Sequence, residues 1–370
     1  MIDPLFWMGR RVLVTGHTGF KGSWLSLWLT QLGAKVCGVA LKPDITQVLF
    51  DQLEIAQSLE GHHLIDIRSF ADIETIVSNF KPQIVIHLAA QSLVRSSYED
   101  PLGTWSINVQ GSLNLLEALK PIKSKCAVVM VTTDKVYANQ EWDYGYREED
   151  RLGGQDPYSA SKAAAELAVA SWRSSFCGNQ SYQNSQLEIA TARAGNVIGG
   201  GDWAHARIMP DAMRSLCAGK SIPVRNQNST RPWQHVLEPL SGYLLLAEKL
   251  FAQGKDFRGP YNFGPTLEAN HSVIELVETA LSYWPGSWHE AIDRSAPHEA
   301  SRLHLQIDKA HHQLGWTPRW TFETTVKRTV GWYRGVHEGR SPRLCCLNDL
   351  DAYLSDSATN TSTEAVKTSK

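Results

Sequence analysis

The chain has 370 residues, with 36 Lys and Arg against 38 Asp and Glu, for a formal net charge of −2. At roughly 150 residues per domain, this length predicts two domains or one large α/β domain with an elaborated second lobe. The balanced charge excludes the strong basic field that is typical of nucleic-acid and anionic-membrane binding, and it favours a small-molecule partner.

Two further classes are excluded by pattern. No apolar stretch reaches the roughly 18 residues of a transmembrane helix, and the first residues lack the basic region and apolar segment of a signal peptide. The six cysteines are scattered without the spacing of a zinc site. We therefore expect a cytoplasmic protein with reduced thiols, no metal site and no membrane association.

The first half of the chain alternates β-branched apolar runs with amphipathic stretches, which is typical of β-α units around a parallel sheet. Strands are predicted at residues 11–15, 35–41, 63–66, 83–88, 127–132 and 188–194. Helices are predicted at residues 22–32, 69–80, 104–119 and 157–174. This inventory predicts an α/β protein with a doubly wound Rossmann-type parallel sheet and a smaller mixed α/β substrate lobe.

The predicted organisation has three parts. Residues 1–190 form the dinucleotide-binding domain, to which segments at about 232–265, including a helix at 238–251, return. Residues 191–354 mostly form the second lobe, because Gly, Pro and Trp there interrupt the regular pattern. Residues 355–370 are almost all small or polar and are predicted to be a disordered tail.

A glycine-rich loop, GHTGFKG at residues 16–22, follows the first predicted strand and opens the first long helix. Gly16 would permit the tight turn, Gly19 the close approach of a pyrophosphate, and Gly22 the packing of helix on sheet. The helix N-terminus would add positive potential. A strand before the loop and a helix after it make dinucleotide binding the preferred interpretation.

The choice between NAD and NADP is open at this level. The acidic residue that usually binds the adenosine ribose, at the end of the second strand, is missing, and Lys42 stands nearby. Lys42 could accept a 2′-phosphate or simply face solvent. Asp66, followed by Ile67, is placed to meet the adenine amino group, although an Asp there could equally cap the helix that starts near Ser69.

Tyr158 and Lys162 are four residues apart on a predicted helix and therefore share one face. A nearby ammonium group would lower the pKa of the phenol and make Tyr158 a usable base. The run Thr132-Thr133-Asp134-Lys135 follows the fifth strand, at the edge where open parallel sheets bind ligands. Hydroxyl, carboxylate and amine groups would thus meet the nicotinamide crevice.

Several motifs now coincide. The glycine loop, HLAAQ at 87–91, NVQG at 108–111, TDK at 133–135 and the Tyr158 and Lys162 pair resemble the extended short-chain dehydrogenase/reductase family, and within it the nucleotide-sugar 4,6-dehydratases. The likeness spans about residues 9–333. Lys135 resembles the branch specific for CDP-glucose, since the dTDP-glucose and GDP-mannose branches carry glutamate there. The runs at 193–203 and 231–236 are similar to the same branch.

The resemblance implies dehydration of CDP-glucose to CDP-4-keto-6-deoxyglucose plus water, a step in deoxysugar and O-antigen lipopolysaccharide biosynthesis. It implies tightly bound, recycled NAD, with NADP not excluded, and a homodimer or homotetramer. Cofactor contacts are implied for Gly16, Thr18, Gly19, Phe20, Gly22, Asp66, Ile67, Leu88, Ala89, Ala90, Thr132, Tyr158 and Lys162. Substrate contacts are implied for Gln91, Ser92, Arg193, Asn196, Arg207 and Arg231, with an internal salt bridge as the alternative for Arg193.

The implied catalytic residues divide the reaction among them. Tyr158 would take the 4-hydroxyl proton while Thr133 binds O4 and Lys162 holds the phenolate. Lys135 would then remove the C5 proton and Asp134 protonate the departing 6-hydroxyl. This assignment requires a neutral Lys135 and a protonated Asp134, or a coupled pair that shares one proton.

Two alternatives stay open. A nucleotide-sugar 4-epimerase, or a dehydratase for another nucleotide, would share the cofactor loop and the Tyr158 and Lys162 pair. An epimerase has no use for an acid and a base at C5 and C6, so the presence of Asp134 and Lys135 argues against it. A non-enzymatic dinucleotide sensor is the second alternative, and the presence of both Tyr158 and Lys162 argues against that.

Overall fold

A computed structural model describes residues 2–43, 48–291 and 302–367, with only the backbone for residues 357–367. The strands are β1 Arg11–Thr15, β2 Lys35–Ala40, β3 Gly61–Leu64, β4 Ile84–His87, β5 Cys126–Val131, β6 Leu187–Ala194, β7 Val197–Ile198, β8 Ile222–Val224, β9 Thr230–Pro232, β10 Gln234–His235, β11 Gly259–Phe263, β12 Asn270–Ser272 and β13 Trp288–Glu290. The α-helices are α1 Pro4–Trp7, α2 Phe20–Gln31, α3 Leu49–Gln52, α4 Phe70–Phe80, α5 Val94–Glu99, α6 Pro101–Trp105, α7 Ser112–Leu119, α8 Pro157–Phe176, α9 Ile208–Cys217, α10 Leu237–Gln253, α11 Val273–Tyr283, α12 Phe322–His337 and α13 Pro342–Lys367.

The central sheet has seven parallel strands in the order β11-β6-β5-β4-β1-β2-β3. The chain moves outward from β1 through β2 to β3, and then returns to the other side of β1 at β4. The strand order therefore reverses between β1 and β4, and open α/β sheets bind ligands at such a point, beyond the carboxyl ends of the strands. The Rossmann-type prediction is confirmed.

Helices cover both faces of this sheet, because its side chains alternate between two hydrophobic cores. Val12 and Val14 pack in the core that contains residues of α2 and α10, whereas Leu13 packs with residues of α4, α7 and α8. A period of two in a strand places successive side chains on opposite faces. Apolar runs such as Cys126–Val131, buried throughout, are what a strand covered on both faces requires.

The six predicted strands are all present, with ends shifted by at most two residues. The seventh strand, β11, was not predicted as a strand; it pairs in parallel with β6 at the sheet edge. The helix predicted at 104–119 is divided among α6, a π-helical turn Ser106–Gly111 and α7. Such π turns accommodate an extra residue within a helix and are frequent at functional sites.

The residues after β6 build small sheets beside the carboxyl edge of the large one. Strand β7 pairs with β10, β8 with β13, and β9 antiparallel with β12. Between these segments α10 returns to pack on β5 and β6. The chain after β6 therefore contributes both to these small sheets and, through α10 and β11, to the central sheet.

The C-terminal segment differs from the prediction of a disordered tail from residue 355. Helix α13 continues to Lys367, and residues 368–370 lie outside the described part. After Pro342 this segment contains no proline or glycine, so no residue in it stops a helix that packing has already started. Tyr353 anchors α13, since its buried hydroxyl donates to Glu238 at 2.7 Å.

No helix in the described ranges combines the length and the apolar character needed to cross a bilayer.

Candidate active site

The glycine loop turns tightly between β1 and α2. Gly16 has φ +76°, a left-handed conformation that side chains disfavour, and a Cβ there would lie 2.7 Å from the Ala89 backbone nitrogen. A Cβ on Gly22 would lie 2.0 Å from the Gly16 carbonyl oxygen, so the first turn of α2 must pass against the loop. The roles predicted for Gly16 and Gly22 have a direct steric basis.

The N-terminus of α2 is suited to an anion. Gly19 is the N-cap and no side chain caps the helix, which leaves backbone N–H groups of the first turn for a ligand. A Cβ on Gly19 would meet only the Gly16 carbonyl, at 3.4 Å, so the approach is open. The Thr18 hydroxyl turns away and donates to the Leu41 carbonyl. These residues fit a dinucleotide pyrophosphate.

The region predicted to hold the adenine lies after β3. The Asp66 carboxylate accepts hydrogen bonds from the Arg68 side chain and backbone, and this contact lowers the pKa of Asp66. Ser69, not Asp66, is the N-cap of α4. Ile67 is buried against Gly111, and Asn114 donates to its carbonyl.

A chain of hydrogen bonds positions the segment after β4. Thr15 Oγ1 lies 2.7 Å from His87 Nδ1, and His87 Nε2 lies 3.1 Å from the Ser112 hydroxyl. Burial, with the positive charge of Lys162, lowers the pKa of His87 to about 3, so the ring is neutral. The Leu88 and Ala89 N–H groups then donate to Thr15, which places residues 88–90 beside the glycine loop.

Asn108 connects this segment to α8, and the sequence prediction did not assign it to the site. Its amide donates to the Gln91 carbonyl at 3.0 Å and to the Ser161 hydroxyl at 2.9 Å, and its oxygen accepts from the Gln91 N–H. The Gln91 side chain itself donates to Leu93 and Thr104, so it stabilises its own loop. Ser92 is exposed. Asn108 is the first residue of the NVQG motif, and that motif was the available signal.

Thr133 links three groups at the end of β5. Its hydroxyl donates to Asp134 Oδ1 at 3.0 Å, receives the Lys135 N–H at 3.4 Å, and is a hydrogen-bond partner of Tyr158. Asp134 is buried, and a Cβ on Gly195 would lie 2.7 Å from its second oxygen. The structure thus brings Thr133, Asp134 and Tyr158 together, with Lys135 half-exposed beside them.

The expected effect of Lys162 on Tyr158 is wrong for this structure. Burial raises the pKa of Tyr158 to about 12, while the hydrogen bond between Tyr158 and Thr133 opposes the rise and the negative charge of Asp134 adds to it. Lys162 Nζ instead donates to the Val131 carbonyl at 3.3 Å. Burial lowers the pKa of Lys162 to about 8, against the opposing charge of Glu166. Sharing a helix face was not sufficient, because the lysine chain extends to β5.

The assignment of Arg193 to the substrate phosphates also needs correction. Arg193 is buried and its guanidinium donates to Glu166 at 2.9 Å, to the Tyr137 hydroxyl and to the Glu148 carbonyl. The Thr132 hydroxyl donates to the same Glu166 carboxylate at 2.5 Å. Arg193 and the Thr132 side chain therefore belong to a structural network within the sheet, the alternative considered for Arg193.

The other predicted substrate residues border the crevice. Arg207 is partly exposed, pairs with Asp202 at 3.1 Å, and its charge opposes the rise that burial causes in the pKa of Tyr158. Asn196 follows Gly195, which contacts Asp134. Arg231 lies on β9 next to Pro232, and a Cβ on Gly195 would lie 3.7 Å from Pro232. Of the predicted set, Arg207 interacts electrostatically with Tyr158, whereas Asn196 and Arg231 are sequence neighbours of Gly195 and Pro232.

A glycine loop after β1 and a Tyr158 and Lys162 pair on α8 meet at one edge of a parallel sheet. Fold and site together define a dinucleotide-binding protein of the short-chain dehydrogenase/reductase type. The chain belongs to the GDP-mannose 4,6-dehydratase family, whose model matches residues 13–329.

Individual relatives agree with this family. The chain is 46% identical to the CDP-glucose 4,6-dehydratase of Salmonella typhimurium, over 96% of this chain and 99% of that protein. It is 26% identical to the dTDP-glucose 4,6-dehydratase of Haemophilus influenzae, over 87% of this chain and 97% of that protein.

Solved structures share the fold. The UDP-glucose 4-epimerase of Thermus thermophilus, a complex with NAD, superposes with a TM-score of 0.74 at 25% identity, covering 88% of this chain and 99% of the epimerase. The dTDP-glucose 4,6-dehydratase of Bacillus anthracis, also in complex with NAD, gives a TM-score of 0.73 at 22% identity, with coverages of 90% and 100%.

Proposed function

We propose that the protein is a CDP-glucose 4,6-dehydratase that uses NAD and converts CDP-glucose to CDP-4-keto-6-deoxyglucose and water. The observation that carries this proposal is the group Thr133, Asp134, Lys135 and Tyr158 at the carboxyl edge of the sheet, in a chain 46% identical to a CDP-glucose 4,6-dehydratase. The acid and base pair distinguishes dehydration from simple epimerisation, because only dehydration removes a C5 proton and a 6-hydroxyl.

NAD is the cofactor in this proposal, and the glycine loop with the N-terminus of α2 would hold its pyrophosphate. Bound NAD would supply the hydride-transfer chemistry at C4 and C6 of the sugar. Asp66, Ile67 and residues 88–90 would border the adenosine and nicotinamide ends. Lys42 is exposed at the end of β2, where it would be available to a 2′-phosphate.

Tyr158 would receive the 4-hydroxyl proton. Its high pKa in the buried site means that the phenol must lose its proton through neighbouring groups before it can act. Thr133 contacts both Tyr158 and Asp134, so its hydroxyl is the connection along which a proton would pass. Lys162, one helical turn beyond Tyr158, would position the phenolate and the cofactor ribose.

Lys135 and Asp134 would carry the elimination. Lys135 is half-exposed, and as the base it would remove the C5 proton that the 4-ketone has made acidic, and return a proton to C5 when hydride adds at C6. The buried Asp134 would deliver a proton to the 6-hydroxyl, which leaves as water. Neighbouring residues on one short turn would thus act on neighbouring sugar carbons. Arg207, Asn196 and Arg231 are the proposed ligands of the nucleotide diphosphate.

The direct test offers the purified chain CDP-, dTDP-, GDP- and UDP-glucose and follows product mass. We expect loss of water from the CDP-sugar, with no net release of NADH. A product of unchanged mass in the epimeric form would indicate a 4-epimerase. Reaction of a non-cytidine sugar only would contradict the role given to Lys135 in nucleotide choice.

The proposal extends to assembly. Leu102 and Trp105 on α6 and Leu167 on α8 are apolar and 83%, 41% and 62% exposed, and α6 packs against α8. Exposed apolar surface on adjacent helices is typical of a self-association face. We therefore propose a homodimer or homotetramer built on these helices. Light scattering after size-exclusion chromatography should give a mass above one chain, and Leu102→Glu with Leu167→Glu should reduce it.

The cellular setting is also proposed. All six cysteines are free thiols, which is typical of the reducing cytoplasm. The 4-keto-6-deoxy product is the kind of intermediate that later enzymes convert into deoxysugars for O-antigen lipopolysaccharide. Deletion of the coding sequence should remove such sugars from the cell surface, and normal surface glycans would count against this role.

A further inference from the structure

Lys21, in the first turn of α2, has no part in the chemistry described so far. Its side chain is half-buried, and its Nζ lies 5.9 Å from the centre of the Tyr243 ring. With the residues that the structure describes, its ammonium forms neither a hydrogen bond nor an ion pair. A half-buried ammonium group without an acceptor among the described residues is available to an anionic ligand.

The charges near Lys21 are mostly positive. Burial and the charge of Arg207 lower the pKa of Lys21 to about 8, Asp134 opposes this, and Lys162 adds to it. Arg207 has its own partner in Asp202, and Lys162 faces Glu166. Among the described residues, Arg207 and Lys162 each have a hydrogen-bond acceptor and Lys21 has none, with Asp134 as the opposing charge nearby. An anion entering the crevice would supply that acceptor.

A second unsatisfied donor lies next to Lys21. Tyr243 on α10 is fully buried, and its hydroxyl has no hydrogen-bond partner among the described residues. It lies close enough to Tyr158 for the two phenols to interact electrostatically. Buried polar groups nearly always find a partner, so the Tyr243 hydroxyl, beside an ammonium group without a protein acceptor, favours a ligand rich in acceptor oxygens.

We propose that Lys21, with Tyr243 beside it, binds the diphosphate group of a nucleotide in the crevice. Both the cofactor and the nucleotide sugar of the proposed function carry this group, and the inference rests on that function only for their identity. Lys21 lies in the same first turn whose N–H groups have no side-chain cap, so side-chain and backbone donors belong to one helical turn. In the reaction, Lys21 is a binding and positioning residue.

The test measures binding and does not depend on turnover. The full chain, stripped of bound nucleotide, is titrated calorimetrically with ADP-ribose and separately with CDP. Lys21→Met should weaken at least one of the two by about tenfold or more, as expected when one charge-assisted hydrogen bond is lost. Lys21→Arg should keep most of the affinity, since a guanidinium also binds phosphate. Tyr243→Phe should lose less than Lys21→Met.

The control is Lys35→Met, which removes an exposed lysine at the start of β2. Weakening of ADP-ribose alone assigns Lys21 to the cofactor diphosphate, weakening of CDP alone assigns it to the substrate, and both outcomes support the proposal. Wild-type affinity for both ligands in Lys21→Met overturns it. If circular dichroism shows Lys21→Met to be unfolded, Lys21→Gln takes its place under the same criterion. Absence of dehydration would refute the proposed function without changing these readings.

Discussion

Two charged groups lie one turn apart on α8 and differ in how completely they are satisfied. The Glu166 carboxylate accepts hydrogen bonds from Thr132, Thr191 and Arg193, all buried within the sheet and the helix. Lys162 has only the Val131 carbonyl as a hydrogen-bond partner, at 3.3 Å. We call Glu166 with Thr132, Thr191 and Arg193 the closed cluster, because its hydrogen bonds are all made within the protein. Lys162 borders the crevice, and its ammonium group has hydrogens left for a ligand.

This difference separates structure from chemistry. A fully satisfied buried network stabilises one arrangement, here of β5, β6 and α8, and offers nothing to a ligand. Groups left with spare donors or acceptors, such as Lys162, Lys21 and Tyr243, are where a ligand can be bound. Residue type alone does not separate structural from ligand-binding residues. Arg193 belongs to the buried Glu166 network, whereas Arg207 is a proposed ligand of the diphosphate.

Tyr158→Phe should have the largest effect, because it removes the proposed acid–base group from the crevice. We expect turnover of CDP-glucose to fall about 10²–10⁴-fold, the usual contribution of a positioned acid or base. Thermal unfolding and NAD content should stay close to wild type. Turnover within a few-fold of wild type would remove Tyr158 from the mechanism.

Arg193→Met should break the closed cluster. It leaves the Glu166 carboxylate buried without its cation, which typically costs about 3–5 kcal/mol of unfolding free energy. Urea unfolding followed by circular dichroism measures this, with Arg334→Met as the control, since Arg334 and Glu338 form an exposed, solvent-screened pair that contributes little to stability. Equal losses in the two variants would mean that the Glu166 network is not the structural element described here.

Glu238 provides a pH test of another closed cluster. It accepts hydrogen bonds from Arg319, Trp320 and Tyr353, yet burial raises its pKa from 4.5 to about 7. Because the folded value exceeds the unfolded one, its stabilising protonation is complete below about pH 4.5 and is lost as the pH rises through 7. Between these limits wild type should lose about 1–3 kcal/mol more stability than Glu238→Gln.

Urea unfolding of both proteins across this pH range gives the difference directly. The contributions of other titrating groups, including Asp349, cancel because both proteins contain them. Parallel stability curves would show that Glu238 is charged in the folded protein and that the Tyr353 hydroxyl of α13 donates to a carboxylate ion.

Thr132→Val should have the smallest effect and sharpens the comparison most. It removes one donor to Glu166, while Thr191 and Arg193 keep the carboxylate bonded, so about 1 kcal/mol of stability should be lost. NAD affinity should not change, because the hydroxyl faces the closed cluster. Weaker NAD binding would return Thr132 to the cofactor site, where the family resemblance first placed it.

Much of the fold was readable from the sequence. Apolar, β-branched runs predicted the six strands from β1 to β6, and the glycine loop predicted the turn at Gly16, because both signals are local. Strand β11 was missed since its residues, with Gly259, Pro260 and Asn262, show no apolar pattern. Its place depends on pairing with β6, a contact between distant parts of the chain.

The candidate site divides in the same way. The sequence determined by itself which chemical groups follow β1, β5 and the start of α8, because motif spacing and strand ends depend only on residues that are adjacent in the chain. Only the tertiary structure decided which of these groups are satisfied by others: that Arg193 pairs with Glu166, that Lys162 reaches Val131, and that Lys21 meets Tyr243. Such partners come from separate elements, so their distances and burial arise only when the sheet, α8 and α10 pack together.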